Sequence, residues 1–87
     1  MNKSEDDLEL KEKAEKLAKR NYSIRLVYDV DGYWLAEHPE LHGCMADGKT
    51  AQEALFLLDQ SRALWIESRL VTGLEIPNPV YAKQMKK

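Results

Sequence analysis

The longest periodic pattern of apolar residues covers residues 51–72. Small and apolar side chains recur there at about 100° per residue, the rotation of an α-helix, and gather on one face. That face comprises Ala54, Leu58, Ser61 and Trp65, flanked by Ala51, Leu57 and Leu64. Thr50 and Glu53 match the capping box of a helix start, and Gly73 suits the residue after a helix end. The pattern predicts a helix over 51–72 that packs this face on a sheet.

The same segment carries a second apolar ridge on its other side. Phe56, Ala63 and Leu70 recur at seven-residue steps, and Ile66 lies beside them. A helix that is apolar on two sides requires two partners. We therefore expect this ridge to contact either an N-terminal helix or another subunit.

Residues 4–20 predict that N-terminal helix, which is of a more polar kind. Three pairs place a glutamate four residues before a lysine, the favourable order for ion pairs on a helix: Glu9–Lys13, Glu12–Lys16 and Glu15–Lys19. The apolar stripe is thin and consists of Leu10, Ala14, Leu17 and Ala18. We expect an appendage that lies on the domain or on a partner and adds nothing to the core.

Residues 22–28 alternate between apolar and polar side chains, as a half-buried β-strand does. One face of that strand would present Tyr22, Ile24, Leu26 and Tyr28. Asp31 and Gly32 form a signal for a hairpin with a two-residue loop. Residues 33–37 are therefore expected to return antiparallel to the first strand, and residues 44–46 to form a third.

In the segment between the predicted sheet and the predicted helix, the proline and the glycines each determine the backbone conformation. Pro39 forbids a helix there, and Gly43 and Gly48 supply positions where a positive φ costs little. Beyond the helix, residues 75–80 contain two prolines and predict a short extended segment, at most an edge strand. This pattern is a signature of a fold rather than of an active site.

Length, charge and cysteine content narrow the class of protein. The chain has 87 residues, enough for one small domain, and a formal net charge of −2, which gives no basic surplus for direct nucleic-acid binding. Cys44 is the only cysteine, which excludes an internal disulfide and fits a reducing cytosol. No apolar run reaches the roughly 20 residues of a membrane span, and the acidic N-terminus is unlike a secretion signal. We expect a cytoplasmic protein with residues 1–21 as a helical extension, 22–80 as the domain and 81–87 as a basic tail.

His38, Glu40 and His42 are candidate metal ligands. They alternate along the chain, so an extended backbone projects them to one side, and imidazole and carboxylate groups suit zinc. No fourth ligand or supporting shell is evident, and a polar strand end before a turn is the simpler interpretation. We therefore expect no metal and no cofactor.

A hydrolase that uses divalent metal ions is another function that the acidic residues could indicate. The carboxylates available for a two-metal site are Asp29, Asp31, Asp47 and Glu37. Asp31 and Asp47 each precede a glycine and are more simply turn residues. Cys44 and His42 lack an orienting third group, so no paired nucleophile and base is apparent. We expect no enzymatic activity.

The order of short motifs resembles that of HicB-type antitoxins of bacterial toxin–antitoxin systems. The resemblance is carried by Tyr22-Ser-Ile-Arg-Leu, Asp31-Gly32-Tyr33-Trp34, the run from Pro39 to Cys44, Gly48-Lys49-Thr50, Glu53-Ala54-Leu55, the helix to Trp65, and the run from Gly73 to Pro77. It covers about residues 22–79. The resemblance implies an α+β fold, a truncated ribonuclease H-like domain of order β-β-β-α-β, without the acidic active site of ribonuclease H.

Members of that family typically neutralise a small basic toxin of HicA type, an enzyme that cleaves messenger RNA. Many also carry a C-terminal DNA-binding segment, and we expect none here, because only residues 80–87 follow the residues that carry the resemblance. The acids that would contact such a toxin are Asp29, Asp31, Glu37 and Glu40, since opposite charge steers association. The alternative function is a solitary HicB-like regulatory or structural module without a toxin. That module would form a homo-oligomer through strand edges or the Phe56 ridge.

Overall fold

The computed structural model describes residues 3–80, with side chains from Leu8 onward. Two helices and three strands follow one another in the order α1 (Lys3–Ala18), β1 (Arg25–Tyr28), β2 (Trp34–Glu37), β3 (Met45–Gly48) and α2 (Ala51–Val71). The fold is mixed α+β, as expected. The predicted basic tail, residues 81–87, lies outside the described residues.

The strands form one antiparallel sheet of order β1-β2-β3. Leu26 of β1 lies opposite Ala36 of β2, which in turn lies opposite Ala46 of β3. α2 packs on β2 and β3, and α1 packs on α2. Ala36 is therefore fully buried beneath α2, whereas β1 lies beyond the edge of that helix.

The predicted half-buried face of the first strand is exposed instead. Tyr22 is buried, but it precedes β1, while Ile24, Leu26 and Tyr28 are 52%, 37% and 59% exposed. The alternation of side chains is present, but the layer that would bury them is not, because α2 covers only the other two strands. This prediction was wrong about burial, and the apolar side chains of β1 form a surface.

The β1–β2 hairpin turns through three residues, not the predicted two. The strand pairing continues to Asp29 and Tyr33, where the Asp29 N–H donates to the Tyr33 carbonyl at 2.6 Å. Residues 30–32 are therefore the loop, and Gly32 closes it with a φ of +93°. Three-residue hairpin loops end in a left-handed residue, for which glycine is the least strained choice. The Asp-Gly pair correctly predicted the position of the turn, but the predicted length of the turn was wrong.

Gly48 is required for a reason other than a positive φ. Gly43 has a φ of +87°, as expected, but the positive-φ glycines do not include Gly48. A Cβ atom on Gly48 would lie 2.7 Å from the Ala54 nitrogen and 2.9 Å from the Glu53 Cβ. The end of β3 thus passes so close to the first turn of α2 that only glycine fits.

The ends of α2 agree with the prediction to within one residue. The Thr50 hydroxyl accepts from the Glu53 N–H at 3.0 Å, and the Glu53 carboxylate accepts from the Lys49 N–H at 2.8 Å. The capping box is thus shifted, because Glu53 reaches the amide before the cap instead of the amide of the cap itself. At the other end, the Gly73 N–H donates to the Leu70 carbonyl at 3.1 Å and stops the helix.

The core lies between the sheet and α2 and continues between α2 and α1. Its largest fully buried side chains are Leu41, Leu58, Ile66 and His38. Ala14 and Ala18 of α1 are 1% and 7% exposed and belong to the same core. The expectation that the N-terminal helix adds nothing to the core is therefore wrong, because its small alanine side chains let α1 and α2 pack closely.

The members of the second ridge of α2 occupy different environments. Ile66 is fully buried, and Ala63 and Leu70 are partly buried against the core. Phe56 is 62% exposed. Leu64 is 67% exposed, so its predicted place on the sheet-facing side of the helix was wrong. Three of the four ridge residues thus pack within the chain, and only Phe56 stands open to a second subunit.

Residues 75–80 form no strand. The described chain therefore has the order α-β-β-β-α, and it lacks the last strand of the expected order β-β-β-α-β. The Tyr22 hydroxyl and an Arg20 guanidinium nitrogen both donate to the Pro77 carbonyl, at 2.6 and 3.4 Å. Two prolines in this segment remove N–H donors that a strand pairing would need. Side chains therefore hold the segment in place of a ladder of backbone bonds.

Candidate partner-binding surface

The four acids proposed for partner binding divide between the two ends of the β1–β2 hairpin. Asp29 and Asp31 lie at its turn, while Glu37 ends β2 and Glu40 follows in the next loop. Asp29 and Asp31 are exposed, and neither carboxylate has a hydrogen-bond or ion-pair partner among the described residues. The structure thus brings these two together as free negative charges and separates them from the other two.

Glu37 is already paired within the sheet. Its carboxylate lies 2.7 Å from the guanidinium of Arg25, the residue directly opposite it on β1. The Arg25 side chain is 59% exposed, so water screens the pair and limits it to at most about 1 kcal/mol. The pair nevertheless compensates the charge of Glu37 before any partner arrives.

Glu40 joins two segments of the chain that are far apart in sequence. Its carboxylate accepts from the Ser23 N–H at 3.0 Å, from the Ser23 hydroxyl at 2.9 Å and from the Val80 N–H at 2.9 Å. Burial opposes ionisation of Glu40, but the hydrogen bonds from Val80 and Ser23 outweigh it and lower its pKa below the usual value. Glu40 is therefore a structural clamp between the start of the sheet and the C-terminal segment.

The sheet face opposite α2 has no described helix packed on it. We call it the open face, and alternation assigns to it the odd-numbered strand positions, Arg25, Val27, Leu35, Glu37, Met45 and Asp47, together with Tyr33. Val27, Tyr33 and Met45 are 37%, 42% and 47% exposed. The open face thus has an apolar centre with charged residues around it, a pattern typical of protein interaction sites.

His38, a candidate zinc ligand in the sequence, is buried with both ring nitrogens occupied. Its Nδ1 lies 2.7 Å from the Ser23 carbonyl oxygen, and its Nε2 lies 3.0 Å from an Arg62 guanidinium nitrogen. A guanidinium only donates and a carbonyl only accepts. The neutral ring must therefore carry its proton on Nδ1 and accept at Nε2, which leaves no nitrogen for a metal.

Arg62 is a structurally central residue that the sequence did not reveal. Its Nε donates to the Ala18 carbonyl at 2.7 Å, at the C-terminal end of α1, where helix carbonyls lack partners. Its other contacts are His38 and, at 2.9 Å, the exposed carboxylate of Asp59. One side chain thus connects α1, α2 and the end of β2.

Protonation of His38 opposes this arrangement. Burial lowers the pKa of His38, and the positive charge of Arg62 lowers it further, while the hydrogen bond to Ser23 acts in the opposite direction with a smaller effect than burial. A proton on Nε2 would face the Arg62 guanidinium, so that two donors would meet.

We predict that stability falls as the pH falls below about 6.5, the ordinary pKa of histidine. The folded state holds fewer protons on His38 than the unfolded chain, so its contribution is complete above that pH and is lost towards the lower folded pKa. Urea unfolding between pH 5 and 8 measures this slope. His38→Gln should flatten it, whereas His42→Gln, a change at an exposed position, should leave it intact. An equal slope in wild type and His38→Gln would contradict the assignment.

The other residues considered as nucleophiles or metal ligands do not form a common site in the described structure. Cys44 is 2% exposed, and burial raises the pKa of its thiol, against the smaller opposing effect of Arg62, so the reactive thiolate is disfavoured. Among the described residues no three His, Cys, Asp or Glu side chains are grouped to hold a metal ion. The carboxylates weighed for a two-metal site therefore do not converge.

Clefts lie on two sides of α2. One of about 500 Å³ lies between the end of α1, residues 20–24 and α2, and is lined in part by His38 and Arg62. The other, of about 380 Å³, is lined by Cys44, Trp65 and other residues on the opposite side of α2.

Within residues 3–80 neither helix is long and apolar enough to cross a membrane.

Fold and surface together define a small α+β domain in which one face of the sheet is covered by no described helix. The chain is 36% identical over 56 residues to the UPF0150 protein Ta0767 of Thermoplasma acidophilum, which covers 64% of this chain and 81% of that protein. It is also 34% identical over 58 residues to the UPF0150 protein ssl0259 of Synechocystis, covering 67% of this chain and 80% of that one. A second Synechocystis protein, the UPF0150 protein ssr1765, is 33% identical over 57 residues, which is 66% of this chain and 72% of the relative.

The chain therefore belongs to the UPF0150 family. No family model and no solved structure matches it.

Proposed function

We propose that this protein is an antitoxin-like module that binds and neutralises a small, basic, mRNA-cleaving toxin by protein–protein contact. The observation that carries the proposal is the open face, with the free carboxylates of Asp29 and Asp31 at one end of it. A toxin that binds RNA presents cations, and complementary charge speeds association and selects the partner. The partner would be of HicA type.

The composition of the open face supports a protein as the ligand. Exposed apolar side chains at Val27 and Met45 provide a centre that loses water on binding, and acids at the rim provide charge. Asp47 adds a third carboxylate on the same face. RNA itself would be repelled by these charges, whereas a basic protein would be attracted.

The resemblance to HicB-type antitoxins supports the same function. Three antiparallel strands followed by a helix on one face match the arrangement that the resemblance implies as far as α2. We propose on this basis that the domain is a truncated ribonuclease H-like domain of a cytoplasmic protein. Residues 75–80 supply no fourth strand of that arrangement.

We also propose that the protein catalyses no reaction. His38 has both nitrogens engaged in the fold, and the Cys44 thiol is buried. Neither side chain is therefore free to act as a base or nucleophile. Neutralisation would then be stoichiometric, with one binding surface consumed for each toxin.

A solitary self-associating module is the second candidate function. The observation in its favour is that all four residues of β1 are exposed, and that β1 lies at one edge of the three described strands. Unprotected edge strands tend to pair with another chain. Such a module would form its homo-oligomer without a toxin.

Reversing the charge of the hairpin turn should weaken toxin binding by about tenfold or more. The variant is Asp29→Lys with Asp31→Lys, and the probe is a small basic protein of HicA type, the class of partner proposed above. Calorimetric titration at low and at high ionic strength measures the affinity and its salt dependence. The wild-type complex should weaken with salt, because exposed charges are screened.

The matched control is Glu9→Lys with Glu12→Lys, which makes the same change in net charge on an exposed part of α1. It should bind nearly as wild type does. Equal loss in both double variants would show that only net charge matters and would remove the hairpin turn as the contact. No complex at low ionic strength would remove the antitoxin function.

A further inference from the structure

The outer edge of β3 lies beside α2, and the cleft of about 380 Å³ lies between the two. Cys44 and Met45 line one wall of this cleft, and Ser61, Leu64 and Ser68 of α2 belong to the other. An extended peptide that adds to a sheet gains affinity from backbone hydrogen bonds along the edge strand and specificity from pockets for its alternate side chains. The β3 edge and the cleft supply these two elements side by side.

The backbone of β3 directs alternate residues towards β2 and away from it. The His38 N–H donates to the Cys44 carbonyl at 3.1 Å, so Cys44 is a hydrogen-bonded position of the β2–β3 pair. Ala46, two residues further on, is the next such position. The N–H and C=O groups of Met45 and Asp47 therefore point outward, where no described strand pairs with them.

Leu64 is an apolar side chain that the described chain leaves uncovered beside this edge. It is 67% exposed, because the described sheet ends at β3 and no strand lies beyond it. Ser61 and Ser68, three residues before it and four after it, are small and leave space for a side chain of a partner. A strand added to β3 would remove Leu64 from water, which favours the addition.

We propose that the partner contributes an extended segment that pairs with the outer edge of β3 and places an apolar side chain in the cleft beside Leu64. The inference rests on the proposed function, because it names the part of the same basic protein that makes the contact. Residues of the segment opposite Cys44 or Ala46 would project to the α2 side of the sheet, as those two residues do.

Charge defines the other side of the added segment. Side chains alternate along a strand, so the remaining residues of the segment would emerge on the open face, next to Met45 and Asp47. The Asp47 carboxylate is exposed and has no ion-pair partner among the described residues. A lysine or arginine opposite it would form a favourable cross-strand pair. The segment is thus apolar towards α2 and basic towards the open face.

Residues 81–87 of this chain are the competing occupant of the β3 edge. They follow Val80, whose N–H donates to the Glu40 carboxylate beside Ser23, next to β1 at the other edge of the sheet. A strand of the same chain on β3 would protect the outward amides before any partner is added. The full-length free chain is therefore the reference state for the test.

Amide hydrogen exchange, followed residue by residue by NMR, tests the pairing. In the free full-length chain the amides of Met45 and Asp47 should exchange rapidly, because no acceptor holds them. A small basic protein of HicA type should slow both by about tenfold or more, since strand addition gives them acceptors. Slow exchange of both amides in the free chain would assign the edge to this chain itself and would overturn the proposal.

The same experiment separates this inference from the proposed function. A complex that forms without slowing the Met45 and Asp47 amides would overturn strand addition and leave toxin binding in place. Slowing of the Leu26 and Tyr28 amides instead would assign the added strand to β1 and also overturn the inference. No complex at low ionic strength would remove both.

Met45→Pro and Met45→Ala form a matched pair of variants. Both remove the same side chain from the open face, but only proline removes the outward N–H. Met45 is the first residue of an edge strand, a position that tolerates proline. Calorimetric titration should show at least about tenfold weaker binding for the proline variant than for the alanine variant. Equal affinities would overturn the pairing, and the exchange experiment decides the question should the proline variant fail to fold.

Leu64→Gln tests the cleft. It should weaken binding by about tenfold, because the apolar contact made by Leu64 is lost. Phe56→Gln is the control, a similar change at a 62% exposed apolar residue of the same helix that does not line the cleft, and it should alter binding by less than about threefold. Equal effects of the two variants would overturn the assignment of the cleft.

Discussion

Replacing Arg62 by methionine is expected to lower the free energy of unfolding by about 3 kcal/mol, since buried acceptors left without a donor cost roughly 1–3 kcal/mol each. The two acceptors are the Ala18 carbonyl and Nε2 of His38. Methionine keeps most of the length and apolar contact of the arginine stem. The loss would therefore report the missing hydrogen bonds more than a missing volume.

Arg69→Met is the matched control, on the same helix and with the same change of residue. Arg69 donates to the Glu75 carbonyl at 3.0 Å and lies over the Trp65 ring at 4.8 Å, but its bonds are exposed to solvent. Its loss should cost under about 1 kcal/mol. Urea unfolding of the two variants gives the comparison. Similar losses in both would contradict a central role for Arg62.

Replacing Gly48 by alanine is expected to destabilise the chain by about 2 kcal/mol, because inserting a methyl group into a packed contact costs roughly 1–3 kcal/mol. The new Cβ would meet the Ala54 nitrogen at 2.7 Å, and backbone cannot move aside as a flexible side chain can. Relief requires β3 and the first turn of α2 to separate. That separation also strains the Thr50 cap, which supports the same turn.

Asp47→Ala serves as the control for this position. Asp47 is the preceding residue of β3, exposed on the open face, so its loss should change stability by less than about 0.5 kcal/mol. Thermal or urea unfolding of both variants distinguishes close packing from a general sensitivity of the strand. If alanine at Gly48 proved neutral, the close approach of β3 to α2 would be refuted.

Features that depend on neighbouring residues were predictable from the sequence. The cap at Thr50, the end of α2 at Gly73 and the position of the first turn each rest on interactions within about five residues. The length of that turn was missed because Asp-Gly also fits a three-residue loop in which only Gly32 takes a positive φ. Interactions between neighbouring residues thus predicted where these elements begin and end, but not the number of residues in the turn.

Burial of β1 was not predictable, because alternation identifies two faces and not which of them is covered. Leu26 and Tyr28 look like core residues in the sequence and are exposed. A signal was nevertheless present: Val27 and Leu35 are also apolar and belong to the opposite face. A sheet that is apolar on both faces but has only one helical layer must leave apolar surface open.

The roles of the polar residues depended on contacts across the chain. Glu40 appeared to be one of four equivalent acids, yet Ser23 and Val80, 17 and 40 positions away, make it a structural clamp. His38 meets Arg62 across 24 positions. Sequence spacing contains no information about such partners. Of the four acids proposed for partner binding, only Asp29 and Asp31 at the hairpin turn have no partner among the described residues.

The central claim is that this chain inhibits a basic RNA-cleaving partner by occupying it. The most direct measurement follows hydrolysis of a defined RNA by a small basic protein of HicA type, while this chain is added in increasing amounts. Cleavage should fall in proportion to the added protein and cease near equimolar amounts, and this chain alone should leave the RNA intact. Undiminished cleavage at a several-fold excess, or cleavage by this chain alone, would contradict the account.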